Sequence, residues 1–79
     1  MNTNICRATV TVTGPSGSGK TLFLDHLKEV LEGNDEIHVC CIDEDMTKNV
    51  KAKAEQRLLA EAESMQRLPV LVELIERPA

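Results

Sequence analysis

Apolar and polar residues alternate with a period of two over residues 5–13: Cys6, Ala8, Val10 and Val12 fall on one face, Arg7, Thr9, Thr11 and Thr13 on the other. The alternation predicts a strand with one buried face. The period then changes. After a glycine- and serine-rich stretch, Phe23, Leu24, Leu27, Val30 and Leu31 recur at i, i+3 and i+4 spacing and predict an amphipathic helix over 20–32. Gly33 and Asn34 follow, residue types that end helices in a left-handed cap. A short β-branched and cysteine-rich run predicts a second strand over 36–42, closed by Asp43, Glu44 and Asp45. From 47 to 68 there is neither Gly nor Pro, and Val50, Ala54, Leu58, Ala62 and Met65 trace a narrow apolar stripe. This predicts a long second helix, about 33 Å by its rise per residue, with Asp45 or Thr47 as its N-terminal cap. Pro69 interrupts the pattern, and residues 70–75 read as a third strand on β-propensity, a short helix starting at Pro69 being the alternative.

The order β-α-β-α-β predicts a minimal α/β fold with a three-stranded parallel sheet, two helices and right-handed crossovers. Because the Thr/Arg face of the first strand is polar, both helices are expected on the other face, which gives strand order 1-2-3. Inserting the third strand between the other two requires the second helix to lie on the Thr face. Under either order, surplus helix or bare sheet is a place for a dimer contact.

Composition sets the outer limits. A chain of 79 residues buries about 60% of the surface its unfolded form exposes, so residues 1–79 read as one small domain. No apolar run approaches the ~20 residues of a membrane span, and the N-terminus lacks the pattern of a signal peptide, which reads as cytoplasmic. Cys6, Cys40 and Cys41 are odd in number and two are adjacent, as expected of reduced thiols. A net charge of −4 is the wrong sign for a protein that binds nucleic acid directly. With no Trp, no Tyr and one Phe, a base or planar cofactor must be held by aliphatic side chains or backbone.

Gly14-Pro15-Ser16-Gly17-Ser18-Gly19-Lys20-Thr21 carries the chemistry. It fits the phosphate-binding pattern G-x-x-x-x-G-K-[ST] and lies between a predicted strand and a predicted helix, the context in which that pattern works. Its glycines let backbone N–H groups wind around an anion, and the helix N-terminus adds its positive dipole end. On these residues the chain resembles the P-loop NTPases. The resemblance implies that Lys20 bridges the β- and γ-phosphates of ATP or GTP as a catalytic residue and that the Thr21 hydroxyl ligates Mg²⁺. It covers about residues 5–45 and reaches no particular subfamily: the loop wording is similar to that of nucleotide kinases and transporter ATPases, without the signature loop of one or the Arg-rich lid of the other.

The strand ending at Asp43-Glu44 looks like the family's second motif, which implies Asp43 in the Mg²⁺ sphere and Glu44 as general base, although the family carries this motif on a later strand. His38 and Cys40 share a strand face but fall short of the four ligands of a structural zinc, so packing is the expected role. His26 and the charges of the second helix read as solvated surface. Family enzymes run to well over twice this length. A minimal nucleotide-binding module is therefore the leading expectation, with slow or no hydrolysis alone. The alternatives are an NTPase or phosphotransferase half-site, completed by a dimer mate or larger partner through an arginine such as Arg57, Arg67 or Arg77, and a degenerate fold kept for interaction or regulation. In style and size the chain looks like the compact proteins of phages and mobile elements.

Overall fold

The computed structural model describes residues 5–78; the reading of the N-terminus for a targeting segment falls partly on residues 1–4, outside the described residues. The elements run β1 (Cys6–Thr13), α1 (Lys20–Glu32), β2 (Ile37–Asp43), α2 (Lys48–Met65) and β3 (Leu68–Arg77). All three strands are parallel, in the expected α/β arrangement, but their order is β1-β3-β2. The order 1-2-3 with both helices on one face is thus corrected. Handedness supplies the reason: with β3 in the middle, the two crossovers travel in opposite directions, and two right-handed crossovers of opposite direction place their helices on opposite faces.

Each face has its own core. On the α1 face, Leu24 packs with Val39, Val72 and Leu74, joined by the half-buried Val10, Val12, Leu31 and Cys41. On the α2 face, Ala54 and Leu58 meet Ile5, Ile42 and Leu71, with Cys40, Met46 and Leu59 against them. The polar face of β1 belongs to the α2 side, yet α2 lies over β2 and β3 and leaves Thr9, Thr11 and Thr13 exposed. β1 is an edge strand, and even on its apolar face Cys6 and Ala8 are exposed. Arg7 ties it to α2, donating to both carboxylate oxygens of Glu55 at 3.2 and 2.9 Å.

The helices are narrower in their contacts than their apolar stripes. Phe23 and Val30 of α1 are 55% and 62% exposed, and Val50 and Met65 stand out at the two ends of α2. Thr47 caps α2, its hydroxyl accepting from the Val50 N–H at 3.3 Å. The helix stops at Met65, at about 27 Å rather than 33 Å, because Gln66 turns left-handed (φ 57°) and the Arg67 N–H closes back on the Ala62 carbonyl at 2.9 Å. At the end of α1 the expected left-handed cap is absent: Gly33 has φ −81° and remains right-handed.

β3 spans ten residues, longer than its β-branched run, and the short-helix alternative does not occur. Pro69 is tolerated near its start because pairing with β1 begins only at Val70, so Pro69 faces β2 alone, opposite His38. No helix among the described residues is long and apolar enough to cross a membrane.

Candidate functional site

The loop 14–19 leaves the C-terminal end of β1 at its junction with β3. Gly14 N–H donates to the Arg77 carbonyl at 3.1 Å, which carries the β1–β3 ladder one step past the strand. Gly14 is buried, and a Cβ there would come within 2.6 Å of Ser18 Oγ, so a side chain at this position would require the Ser18 hydroxyl to turn away. Ser18 N–H then donates to the Pro15 carbonyl at 3.1 Å and tightens the turn. Gly17 (φ 82°) and Gly19 (φ 92°) adopt left-handed backbone that L-residues avoid.

Gly19 is the N-cap of α1. The first helical hydrogen bond runs from Phe23 N–H to the Gly19 carbonyl at 2.9 Å, so the N–H groups of Lys20, Thr21 and Leu22 precede the helical ladder. No side chain caps them, and the first turn holds no acidic residue. This terminus therefore directs backbone donors and positive dipole at the loop cavity, whereas the start of α2 is closed by Thr47. The cavity measures about 620 Å³, within the usual range of small-molecule sites, and is lined by Ser16, Gly17, Gly19, Lys20, Thr21, Leu22, Glu76, Arg77 and Pro78.

Its charged groups are held by partners within the chain. Lys20 Nζ folds back to donate to the Gly14 carbonyl across the mouth of the loop. Thr21 Oγ1 donates to Glu76 Oε1 at 3.3 Å. Arg77 Nη1 donates to Glu44 Oε2, and this carboxylate pushes the guanidinium pKa above its already high ordinary value. A second cavity of about 400 Å³ adjoins the first through Glu76 and is lined by Leu24, Asp43, Glu44, Asp45 and Leu74.

Pro15 and Ser18 shape the loop, and the other residues of the predicted stretch, except Gly14, line the cavity themselves. Glu44 reaches the site through Arg77. Asp43 ends β2, which β3 separates from β1; it lines the acidic cavity and makes no hydrogen bond to Thr21. The carboxylate against Thr21 is that of Glu76, a residue the sequence reading passed over. Its signal is the same one that drew attention to Asp43, an acidic residue closing an apolar strand, but it becomes legible only once β3 is known to neighbour β1. His38 and Cys40 are occupied elsewhere: His38 Nε2 lies 2.9 Å from Glu61 Oε1, and Cys40 packs on the α2-face core. No group of metal-ligating side chains is assembled among the described residues. Comparison with protein families, with curated proteins and with solved structures finds no match for this chain.

Proposed function

We propose that this chain binds a nucleoside triphosphate, ATP or GTP, together with Mg²⁺, through the loop 14–21, in the manner of the P-loop NTPases that its sequence resembles. One observation carries the reading: the left-handed glycines 17 and 19 turn the loop onto the uncapped start of α1, so backbone donors and the Lys20 and Thr21 side chains border a single cavity. Phosphates are the ligand this arrangement suits, since successive N–H groups and a helix dipole act on one anion. Lys20 exchanges the Gly14 carbonyl for phosphate oxygens. Thr21 and Glu76 supply a hydroxyl and a carboxylate to the Mg²⁺ sphere, with Asp43 within the neighbouring acidic cavity. Hydrolysis by the chain alone is slow or absent, because Glu44, the residue suited to act as base, lines the neighbouring acidic cavity and not the one bordered by Lys20 and Thr21. A cytoplasmic setting, where nucleotide is abundant and thiols stay reduced, agrees with this role.

The test is thermal unfolding followed by circular dichroism, with Mg²⁺-ATP, with Mg²⁺-GTP and with neither. Ligand at 100 times its Kd stabilises the native state by about 2.7 kcal/mol, a rise of roughly 10 °C or more in a domain of this size. Lys20→Ala abolishes the shift. An unchanged shift in Lys20→Ala would remove the loop from the reading.

A second reading, a half-site completed by another copy or a partner, is favoured by the open edge of β1 and the exposed Phe23 and Val30 of α1. Turnover per chain that rises with protein concentration would distinguish it from the module that binds alone.

A further inference from the structure

Three arginines follow the loop in the chain, and the fold separates them. Arg67 immediately precedes β3, at the opposite end of the sheet from the loop, 3.9 Å from Asp35. Arg57 sits midway along α2 beside His38 and Cys40. Arg77 alone of the three is at the loop: its carbonyl accepts from Gly14, and it lines the same cavity as Lys20 and Thr21.

Its guanidinium is held by the Glu44 carboxylate, which enters from the end of β2, and makes only a long 3.5 Å contact besides, to the carbonyl of the adjacent Glu76. Both side chains are substantially exposed, at 51% and 38%, so water screens their attraction and the pair is easily parted. A triphosphate seated in the loop brings to this rim several anionic oxygens of higher total charge, two of which a planar guanidinium can meet with paired hydrogen bonds. The carboxylate left behind already lines the acidic cavity, together with Asp43, Asp45 and Glu76.

We propose that Arg77 is a phosphate-responsive switch residue: on binding of a nucleoside triphosphate its guanidinium leaves Glu44 for a phosphate oxygen, and Glu44 loses its cationic partner in the acidic cavity beside the site. The inference rests on the reading of the loop given above. It makes Glu44 a competitor for Arg77, so that the two side chains are coupled in the energetics of binding although only one of them meets the ligand.

Calorimetric titration with Mg²⁺-ATP at low salt tests it, on the wild type, Glu44→Gln, Arg77→Gln, the double variant and Lys20→Ala, each first checked for folding by circular dichroism. Glu44→Gln frees the guanidinium and tightens binding about 3- to 10-fold, while Arg77→Gln weakens it about 10-fold. In the Arg77→Gln background, Glu44→Gln changes the affinity by less than about 2-fold, because no guanidinium remains to compete for. Equal tightening by Glu44→Gln in both backgrounds would overturn the switch and leave Glu44 a plain repulsive charge; so would undiminished affinity in Arg77→Gln. If Arg77→Gln does not fold, Arg77→Lys takes its place, with weakened binding expected because the two-pronged geometry is lost. Binding that Lys20→Ala abolishes, with an additive Glu44/Arg77 cycle, defeats the switch alone. No binding by the wild type defeats the loop reading and the switch together.

Discussion

Thr21 and Glu76, 55 positions apart in the chain, meet in a 3.3 Å hydrogen bond from hydroxyl to carboxylate. The contact joins the first turn of α1 to the end of β3, and it exists because β3 pairs with β1 in a register that sets Glu76 opposite Val12, two residues before the loop. A hydroxyl and a carboxylate side by side at the loop cavity are the kind of oxygen ligands a hard divalent cation accepts.

Removing either oxygen should therefore act through the metal. Thr21→Ala and Glu76→Gln are each expected to weaken Mg²⁺-ATP about tenfold or more while leaving the affinity for metal-free ATP within about twofold. Titrations with Mg²⁺ and with a chelator separate the two effects. Equal losses in both conditions would show that the pair shapes the loop instead.

The two glycines that bound α1 should respond in opposite directions to the same substitution. Gly19 is left-handed, and Gly19→Ala costs about 1–2 kcal/mol in backbone strain. Gly33 has ordinary right-handed backbone, with its closest neighbour, the Glu29 carbonyl, 3.5 Å from an added Cβ. Gly33→Ala should stabilise by about 0.4–1 kcal/mol through the unfolded state. Thermal midpoints displaced in opposite senses, by several degrees each, are the expected result.

Leu58 is the most completely buried large side chain, 1% exposed between α2 and the sheet. Leu58→Ala should cost about 2–5 kcal/mol, a large part of the stability of a domain this small. Val50→Ala, on the same stripe but 48% exposed, should stay within about 0.5 kcal/mol. Urea unfolding distinguishes the two.

The three cysteines should differ in reactivity. Burial pushes the Cys40 and Cys41 thiols above their ordinary pKa, whereas Cys6 is exposed on the edge strand. Alkylation at pH 8, followed by mass spectrometry, should therefore modify Cys6 first. The same burial sets a sign for stability. A thiol whose pKa is raised on folding holds its proton more tightly in the native state, so its contribution is complete below the unfolded value of 9.0 and is lost as pH climbs through the folded one. Cys40→Ala/Cys41→Ala should flatten the decline in thermal midpoint above pH 9, whatever it does to stability at pH 7.

All five elements were legible because each carries its own period: two in β1, 3.6 in the helices, and a compact β-branched run in β2 and β3. Strand order was not, since it depends on which face each helix covers, and the polar face of β1 pointed away from an answer in which α2 lies on that side but stops short of the edge strand. Phe23 and Val30 misled in the same way. They complete an apolar stripe on α1 that is wider than the sheet beneath it. In the site, local spacing was enough to single out Gly14 to Thr21, whereas the Glu76 and Arg77 contacts are set by strand neighbours and could not be read before the topology was known.

The third strand in chain order occupies the middle of the sheet. β1 and β2 pair with β3 and not with each other, so a ribosome-bound chain not yet synthesised through residue 68 holds two strand sequences and no partner for either. Every strand pairing spans a long stretch of sequence, which places folding among the slower, high-contact-order cases and after the emergence of residues 68–77. Those same ten residues bring Glu76 and Arg77. Nascent chains caught before that point thus lack the sheet and the loop's partners at once, and completing the fold and completing the site become a single event.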